Sequence, residues 1–260
     1  MAPPEQRFDG LAELYARHRP SYPEAALAAL VAACREVEAR APFLIDVGAG
    51  TGIATRALAD VLGPDWRFVG IEPSDDMRRT AVAQSAAYRN VSFQSGAAEA
   101  LPFADGEVGA IMVAQALHWF DRPAFYHEAE RLLAPGGPLF VVFNDRDERS
   151  KLFQAFEDLM ERETPGYNRG YRRFDYIGEL KALPWVGSAE LNVFTWTWRL
   201  PYDGFVGLML SRSMAKPWVE KAGEAEVARA FADFIAPYGD GETVELPYLT
   251  RLAIARKRAS

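Results

Sequence analysis

Leu44-Ile45-Asp46-Val47-Gly48-Ala49-Gly50-Thr51-Gly52 is the stretch that decides the fold of this chain. A short apolar run of strand length passes through one acid into a turn with glycine at alternate positions, and a helical stretch over 53–62 follows. Glycine reaches backbone conformations closed to other residues and lets a ligand approach the main chain with no Cβ between them. In doubly wound sheets such a turn lies beyond the carboxyl end of a strand, where ligands bind. The next apolar run, 66–71, ends at Glu72, where an acid can accept two ribose hydroxyls.

Outward from this stretch the same alternation continues. Apolar runs at 43–47, 66–71, 91–94, 108–113 and 138–143 are separated by helical segments, which implies parallel strands joined by crossovers. The runs are nearly continuously apolar, as strands covered on both faces are, and Pro135-Gly136-Gly137 marks a turn before the fifth. Beyond Asn144 the pattern predicts a helix over 148–163, a loop rich in Gly, Tyr and Arg, a strand over 190–200, helices over 205–236 and a last strand over 243–255. In the 190–200 run Phe194, Trp196 and Trp198 alternate with Thr195 and Thr197, so the aromatics face the core. The expected fold is α/β: a doubly wound, mostly parallel, seven-stranded Rossmann-like sheet with helices on both faces and a C-terminal helical cover. One domain is expected over 1–260, with helices over 1–40 covering the ligand, a binding core over 41–145, and sheet completion plus a substrate-side cover over 146–260.

Composition agrees. A chain of 260 residues fits one large core, and 49% hydrophobic with 25% charged residues supplies it. A formal charge of −7 argues against nucleic acid as a partner, because phosphate binding rests on basic surface. Cys34 is the single cysteine and falls in a helical stripe with Leu27, Leu30 and Val31, so it reads as a core residue in a reducing compartment. No run reaches the roughly 18 apolar residues of a membrane helix, and the N-terminus lacks a basic start and apolar h-region, so no membrane partner and a cytoplasmic location are expected. Nothing in the sequence sets an oligomeric state.

A dinucleotide-binding oxidoreductase is the rival reading of the glycine turn. Its fingerprint, G-x-G-x-x-G, needs a glycine where this chain has Ile53, and a side chain there would crowd a pyrophosphate. Asp46 adds negative charge better suited to a cationic cofactor. The ordered segments Asp46-Val47-Gly48-Ala49-Gly50-Thr51-Gly52, Gly70-Ile71-Glu72-Pro73-Ser74-Asp75-Asp76-Met77, Gly96-Ala97-Ala98-Glu99-Ala100-Leu101-Pro102-Phe103 and Leu132-Leu133-Ala134-Pro135-Gly136-Gly137 resemble the motifs of class I S-adenosylmethionine-dependent methyltransferases. Phe8-Asp9, Tyr15, Arg19-Pro20, Tyr22-Pro23 and Ala116-Leu117-His118-Trp119-Phe120 resemble the small-molecule branch that includes trans-aconitate methyltransferase-like proteins. The resemblance implies S-adenosylmethionine as cofactor, S-adenosylhomocysteine as product and a small-molecule acceptor, with no metal. It implies that Gly48, Ala49, Gly50 and Gly52, together with Asp46, bind the methionine part, and that Glu72 beside Pro73 holds the ribose. Met77 would pack on the adenine with Ala98 and Glu99 at its edge, Gln115 would sit beside the sulfonium, and Tyr15 with Arg19 would close over the methionine carboxylate. The family often has Asp where this chain has Ala97, so Glu99 or backbone is expected to serve the adenine amine.

Methyl transfer from a sulfonium is an in-line displacement, in which alignment of the reacting atoms does most of the work. The acceptor is expected beside Gln115-Ala116-Leu117-His118-Trp119, with carboxylate or hydroxyl oxygen favoured over carbon or nitrogen of a small metabolite. The Pro-Pro-aromatic motif of amino-methylating nucleic-acid enzymes is absent there. His118 is the candidate base or substrate hydrogen-bonding group, with pocket wall as the alternative, and Trp119 is a candidate substrate contact. Asn144-Asp145 with Asp121 faintly resembles a catechol-type metal site, but Asp121 reads as a helix N-cap. Tyr167, Arg169, Tyr171, Arg172, Arg173, Phe174 and Tyr176 form either a solvated loop or a lid whose arginines hold a carboxylate.

Overall fold

A computed structural model describes residues 10–36, 42–164, 166–170 and 174–259; Phe8, Asp9, Tyr171, Arg172 and Arg173, named above, lie outside them. The apolar runs form β1 (Phe43–Val47), β2 (Arg67–Ile71), β3 (Val91–Gln94), β4 (Ala110–Ala114) and β5 (Pro138–Arg146). The later runs form β6 (Val186–Pro201) and β7 (Thr243–Lys257), giving one seven-stranded sheet in the order β3-β2-β1-β4-β5-β7-β6. Neighbours among β1–β5 are parallel, while β7 is antiparallel to both β5 and β6. The doubly wound α/β sheet is as expected. The fourth strand starts at Ala110 rather than 108 because Val108 is caught in an isolated bridge to Leu133.

Helices cover both faces. α2 (Glu24–Arg35) and α3 (Ile53–Leu62) bury Leu30, Cys34 and Leu58 against Phe68 and Phe140 on one side. On the other, α5 (Arg122–Leu132) buries Phe125 and Leu132 against Ile45, Val69 and Val113. α4 (Asp75–Gln84) follows β2, its start capped by Ser74, whose hydroxyl accepts from Met77 N–H. Burial pushes the Cys34 thiol up to about 12, in keeping with an inert core residue.

β6 and β7 are longer than β5 requires. Residues 248–256 of β7 pair with β5, whereas Thr243–Pro247 pair with β6 alone, so the two strands project past the sheet. A separate apolar cluster forms on that projection. Phe153, Phe156 and Met160 of α6 (Lys151–Glu163), Phe205 of α8 (Tyr202–Leu210), Trp218 of α9 (Lys216–Ala222) and Phe231 of α10 (Glu224–Ile235) pack there with Leu246 and Tyr248. The helical stretch expected over 205–236 is thus three helices, the last starting after Gly223, whose φ of 85° a side chain would oppose. Trp196 and Trp198 pack on this second cluster, Phe194 packs on the sheet core, and Thr195 and Thr197 are exposed, as alternation requires of an edge strand. No helix among the described residues is long and apolar enough to cross a membrane.

Candidate active site

The carboxyl ends of β1, β4 and β5 open into a cavity of about 950 Å³. Its wall includes Gly48, Ala49, Gly50, Thr51, Gln115, Tyr15 and Arg19 on one part, all but Thr51 among the residues singled out above. The C-terminal half supplies Arg146, Phe153, Arg212, Leu191, Val193 and Tyr248, which sequence reasoning missed.

The three glycines of the turn do different work. All have positive φ, at 73°, 57° and 77° for Gly48, Gly50 and Gly52. A Cβ on Gly48 would meet Ala116 Cβ at 2.5 Å, and one on Gly52 would meet Phe93 at 2.6 Å, so these two permit close packing of the turn. A Cβ on Gly50 would meet nothing within 4 Å; it would point into open space. Gln115, at the end of β4, is the one non-glycine with positive φ among the described residues (63°), a strain of about 1–3 kcal/mol that concentrates at functional sites.

Glu72 ties the turn to β2. Its Oε2 accepts from Gly50 N–H at 2.8 Å and its Oε1 from Ser74 N–H at 2.9 Å, and burial raises its pKa against those bonds. Glu72→Ala therefore removes two charge-assisted bonds that shape the turn. It is expected to weaken S-adenosylhomocysteine binding by about 1.5–3 kcal/mol, measured by calorimetry.

Asp46 differs from expectation. It is fully buried rather than facing the cavity, its Oδ2 accepts from Thr55 Oγ1 at 2.6 Å, and Oδ1 has no partner among the described residues. Burial holds its pKa at about 7, with Glu72 adding to the rise and Thr55 opposing it, so near neutrality much of it is uncharged. The native state then keeps a proton that the unfolded chain releases near pH 4, and stability falls as pH rises from about 4 to 7, by up to about 1.4 kcal/mol per unit. Asp46→Asn, which still accepts from Thr55, should flatten that decline and melt higher than the parent at pH 8 but not at pH 4.

The adenine-side expectations are less simply met. Met77 and Ala98 are buried in the fold, Ala97 forms a tight turn with Ala100, and none of these, nor Glu72, Pro73 and Glu99, lines the cavity. Glu99 Oε1 accepts from Asp121 N–H at 2.8 Å, a bond that pins the segment after β4. Asp121 caps α5 by accepting from Ala124 N–H. Asn144 donates to Ser21 O and accepts from Thr250 Oγ1, while Asp145 pairs with Arg251. His118 and Trp119 are absent from the cavity wall: the imidazole lies 4.3 Å from the Trp119 ring and 6.0 Å from Phe143. Tyr15 and Arg19 do line it. The Arg19 guanidinium sits 4.6 Å over the Tyr15 ring and donates to Ser211 Oγ and O, joining α1 (Ala12–His18) to α8. Arg169 lines it too, held by Asp158 and Glu161 of α6.

Residues 45–141 match the methyltransferase domain family. An uncharacterized methyltransferase of Mycobacterium tuberculosis is 37% identical over 250 residues, spanning 94% of this chain and 92% of its own. The chain belongs to the class I S-adenosylmethionine-dependent methyltransferases. The methyltransferase is also 28% identical to the demethylmenaquinone methyltransferase of Lactococcus lactis, over 56% of this chain and 58% of that one. Among solved structures, a proposed type II methyltransferase from Anaeromyxobacter dehalogenans superposes with a TM-score of 0.62 at 24% identity, covering 93% of this methyltransferase and 98% of the other. The methyltransferase fits its cofactor at the turn: bare backbone at Gly50, open space before it, and Thr51 Oγ1 buried with no partner among the described residues.

Proposed function

We propose that this methyltransferase acts on an oxygen of a small molecule, a carboxylate or a hydroxyl, held in the cavity that the glycine turn shares with the C-terminal half. The observation that carries the reading is the cavity itself, one continuous space lined both by Gly48–Thr51 and Gln115 and by side chains of α6, β6 and β7. Its 950 Å³ lies at the upper end of volumes that hold a cofactor or drug-sized ligand. The overall charge of −7 and the partial likeness to a demethylmenaquinone methyltransferase lend further support to a small acceptor, as does the motif resemblance to trans-aconitate methyltransferase-like proteins.

S-adenosylmethionine, when bound, supplies an electrophilic methyl group on a sulfonium. Gly48, Ala49, Gly50 and Thr51 would hold it through main chain, with Tyr15 and Arg19 on the same cavity wall closing over it. Gln115, locked in its strained conformation by a bond from its N–H to Val142 O (2.9 Å), fixes the end of β4 at the junction of the two parts of the wall. Transfer would exchange the S–CH₃ bond for an O–CH₃ bond in line, leaving a neutral thioether; a carboxylate acceptor would need no base, and a hydroxyl acceptor would give up its proton to water in the cavity. With His118 packed between Trp119 and Phe143, its role is that of a wall behind β4. His118→Gln is expected to leave kcat within about tenfold of the parent and the pH profile unchanged. A loss of 10²–10⁴-fold, the usual range for a general base, would instead return His118 to the reaction.

Incubating the protein with methyl-labelled S-adenosylmethionine and a panel of small carboxylic acids, phenols and amines tests the proposal. Label is expected on an acid or a phenol. Label found on amines alone would move the acceptor atom from oxygen to nitrogen.

A further inference from the structure

The C-terminal part of the cavity wall contains a charged cluster to which the proposed cofactor site assigns no role. Arg146 ends β5, and its Nη2 meets Glu157 Oε1 of α6 at 2.6 Å. The Tyr167 hydroxyl donates to the other oxygen, Glu157 Oε2, at 2.8 Å, so both carboxylate oxygens are engaged. The Tyr167 hydroxyl also interacts with the Arg146 guanidinium; Arg146 Nη1 is buried with no acceptor among the described residues, and the side chain borders the cavity. Arg212, following α8, borders the same cavity and is itself buried. The two guanidiniums lie over the Phe156 ring at 4.9 and 5.9 Å, so an apolar floor fixes both.

A guanidinium has five donors in a rigid fork that matches a carboxylate in two-pronged fashion, and a buried donor without an acceptor is costly to keep. Arg146 and Arg212 bring two such forks to one end of the cavity, where an anion could accept from both. The wall contributed by β6, Leu191 and Val193, is apolar and exposed to the cavity, which suits the carbon body of the same molecule. We propose that Arg146 and Arg212 anchor a carboxylate of the methyl acceptor, making the acceptor a small organic acid with an apolar body. This rests on reading the cavity as the acceptor's chamber. The anchored carboxylate serves to orient the molecule, and the methylated oxygen is a second carboxylate or a hydroxyl that the anchor turns toward the glycine turn.

Calorimetric titrations of benzoate, trans-cinnamate, their two amides and inorganic phosphate into the full chain, each with and without saturating S-adenosylhomocysteine, test the anchor. Each acid is expected to bind at least about tenfold more tightly than its amide and than phosphate. Arg212→Gln should reduce that preference to within about threefold while S-adenosylhomocysteine affinity holds. Since Arg146→Gln alone strands Glu157, the paired change Arg146→Gln with Glu157→Gln removes both charges together and should also erase the preference. Acids binding no better than amides, or a preference that survives both variants, overturns the anchor. Phosphate binding as tightly as benzoate overturns the assignment to a carboxylate. Failure of S-adenosylhomocysteine to bind strikes the proposed function instead, and the cofactor-free titrations still decide the anchor.

Discussion

Gly50→Val is expected to lower S-adenosylhomocysteine affinity at least about a hundredfold, or roughly 2.7 kcal/mol, in a protein that still melts cooperatively. Gly50 has a φ of 57°, and nothing lies within 4 Å of where its Cβ would be, so the valine methyls project into the cavity rather than into the fold. Strain from the left-handed backbone costs about 1–3 kcal/mol, a loss a domain of this size survives. Gly48→Ala makes the contrast, since its new methyl would meet Ala116 Cβ at 2.5 Å and Phe120 at 3.2 Å and should cost stability first. Calorimetry paired with melting curves separates the two variants. Parent-like affinity in Gly50→Val would mean that the turn does not contact the cofactor.

Phe156→Ala should destabilise the whole chain by about 3–5 kcal/mol, the usual range for emptying a fully buried aromatic site. Phe156 is completely buried, with Phe231 and Phe234 ring centroids at 6.3 and 5.9 Å and the Arg146 guanidinium on its face. The second cluster is built on strands that also complete the main sheet, so its loss cannot stay local. Melting followed by far-ultraviolet circular dichroism should show one transition lowered by roughly 6–20 °C. Two separated transitions would contradict a single cooperative unit.

The parts of this fold that could be read from sequence are those dictated by local pattern. β1, β2, β4 and β5 announce themselves as nearly continuous apolar runs because helices cover both of their faces, and the alternation at Phe194, Trp196 and Trp198 marks an edge strand with one face wet. The glycine turn is legible because conformation and ligand access both demand glycine there. What escaped notice depends on partners distant in sequence. β6 begins at Val186 rather than 190 because β7 carries pairing out to Lys257, and β5 runs on to Arg146 because Tyr248 pairs with it. Arg146, Glu157 and Arg212 are ordinary charged residues until β5, α6 and the end of α8 converge. The available signal was the polar run Asn144-Asp145-Arg146 closing a strand that is apolar up to Phe143, at the end of the sheet where ligands bind. Asp46 reads in sequence as a negative charge near the turn; that it is buried depends on the packing of α3, which brings Thr55 to it.

The glycine turn and its cavity are the proposed seat of the methyl donor. Titrating S-adenosylmethionine and NAD separately into the parent protein and into Gly50→Val, with heat as the readout, tests this most directly. One-to-one binding of S-adenosylmethionine to the parent, lost in Gly50→Val, with no heat from NAD, is the predicted result; equal binding of S-adenosylmethionine by both proteins, or of NAD and S-adenosylmethionine by the parent, would contradict it.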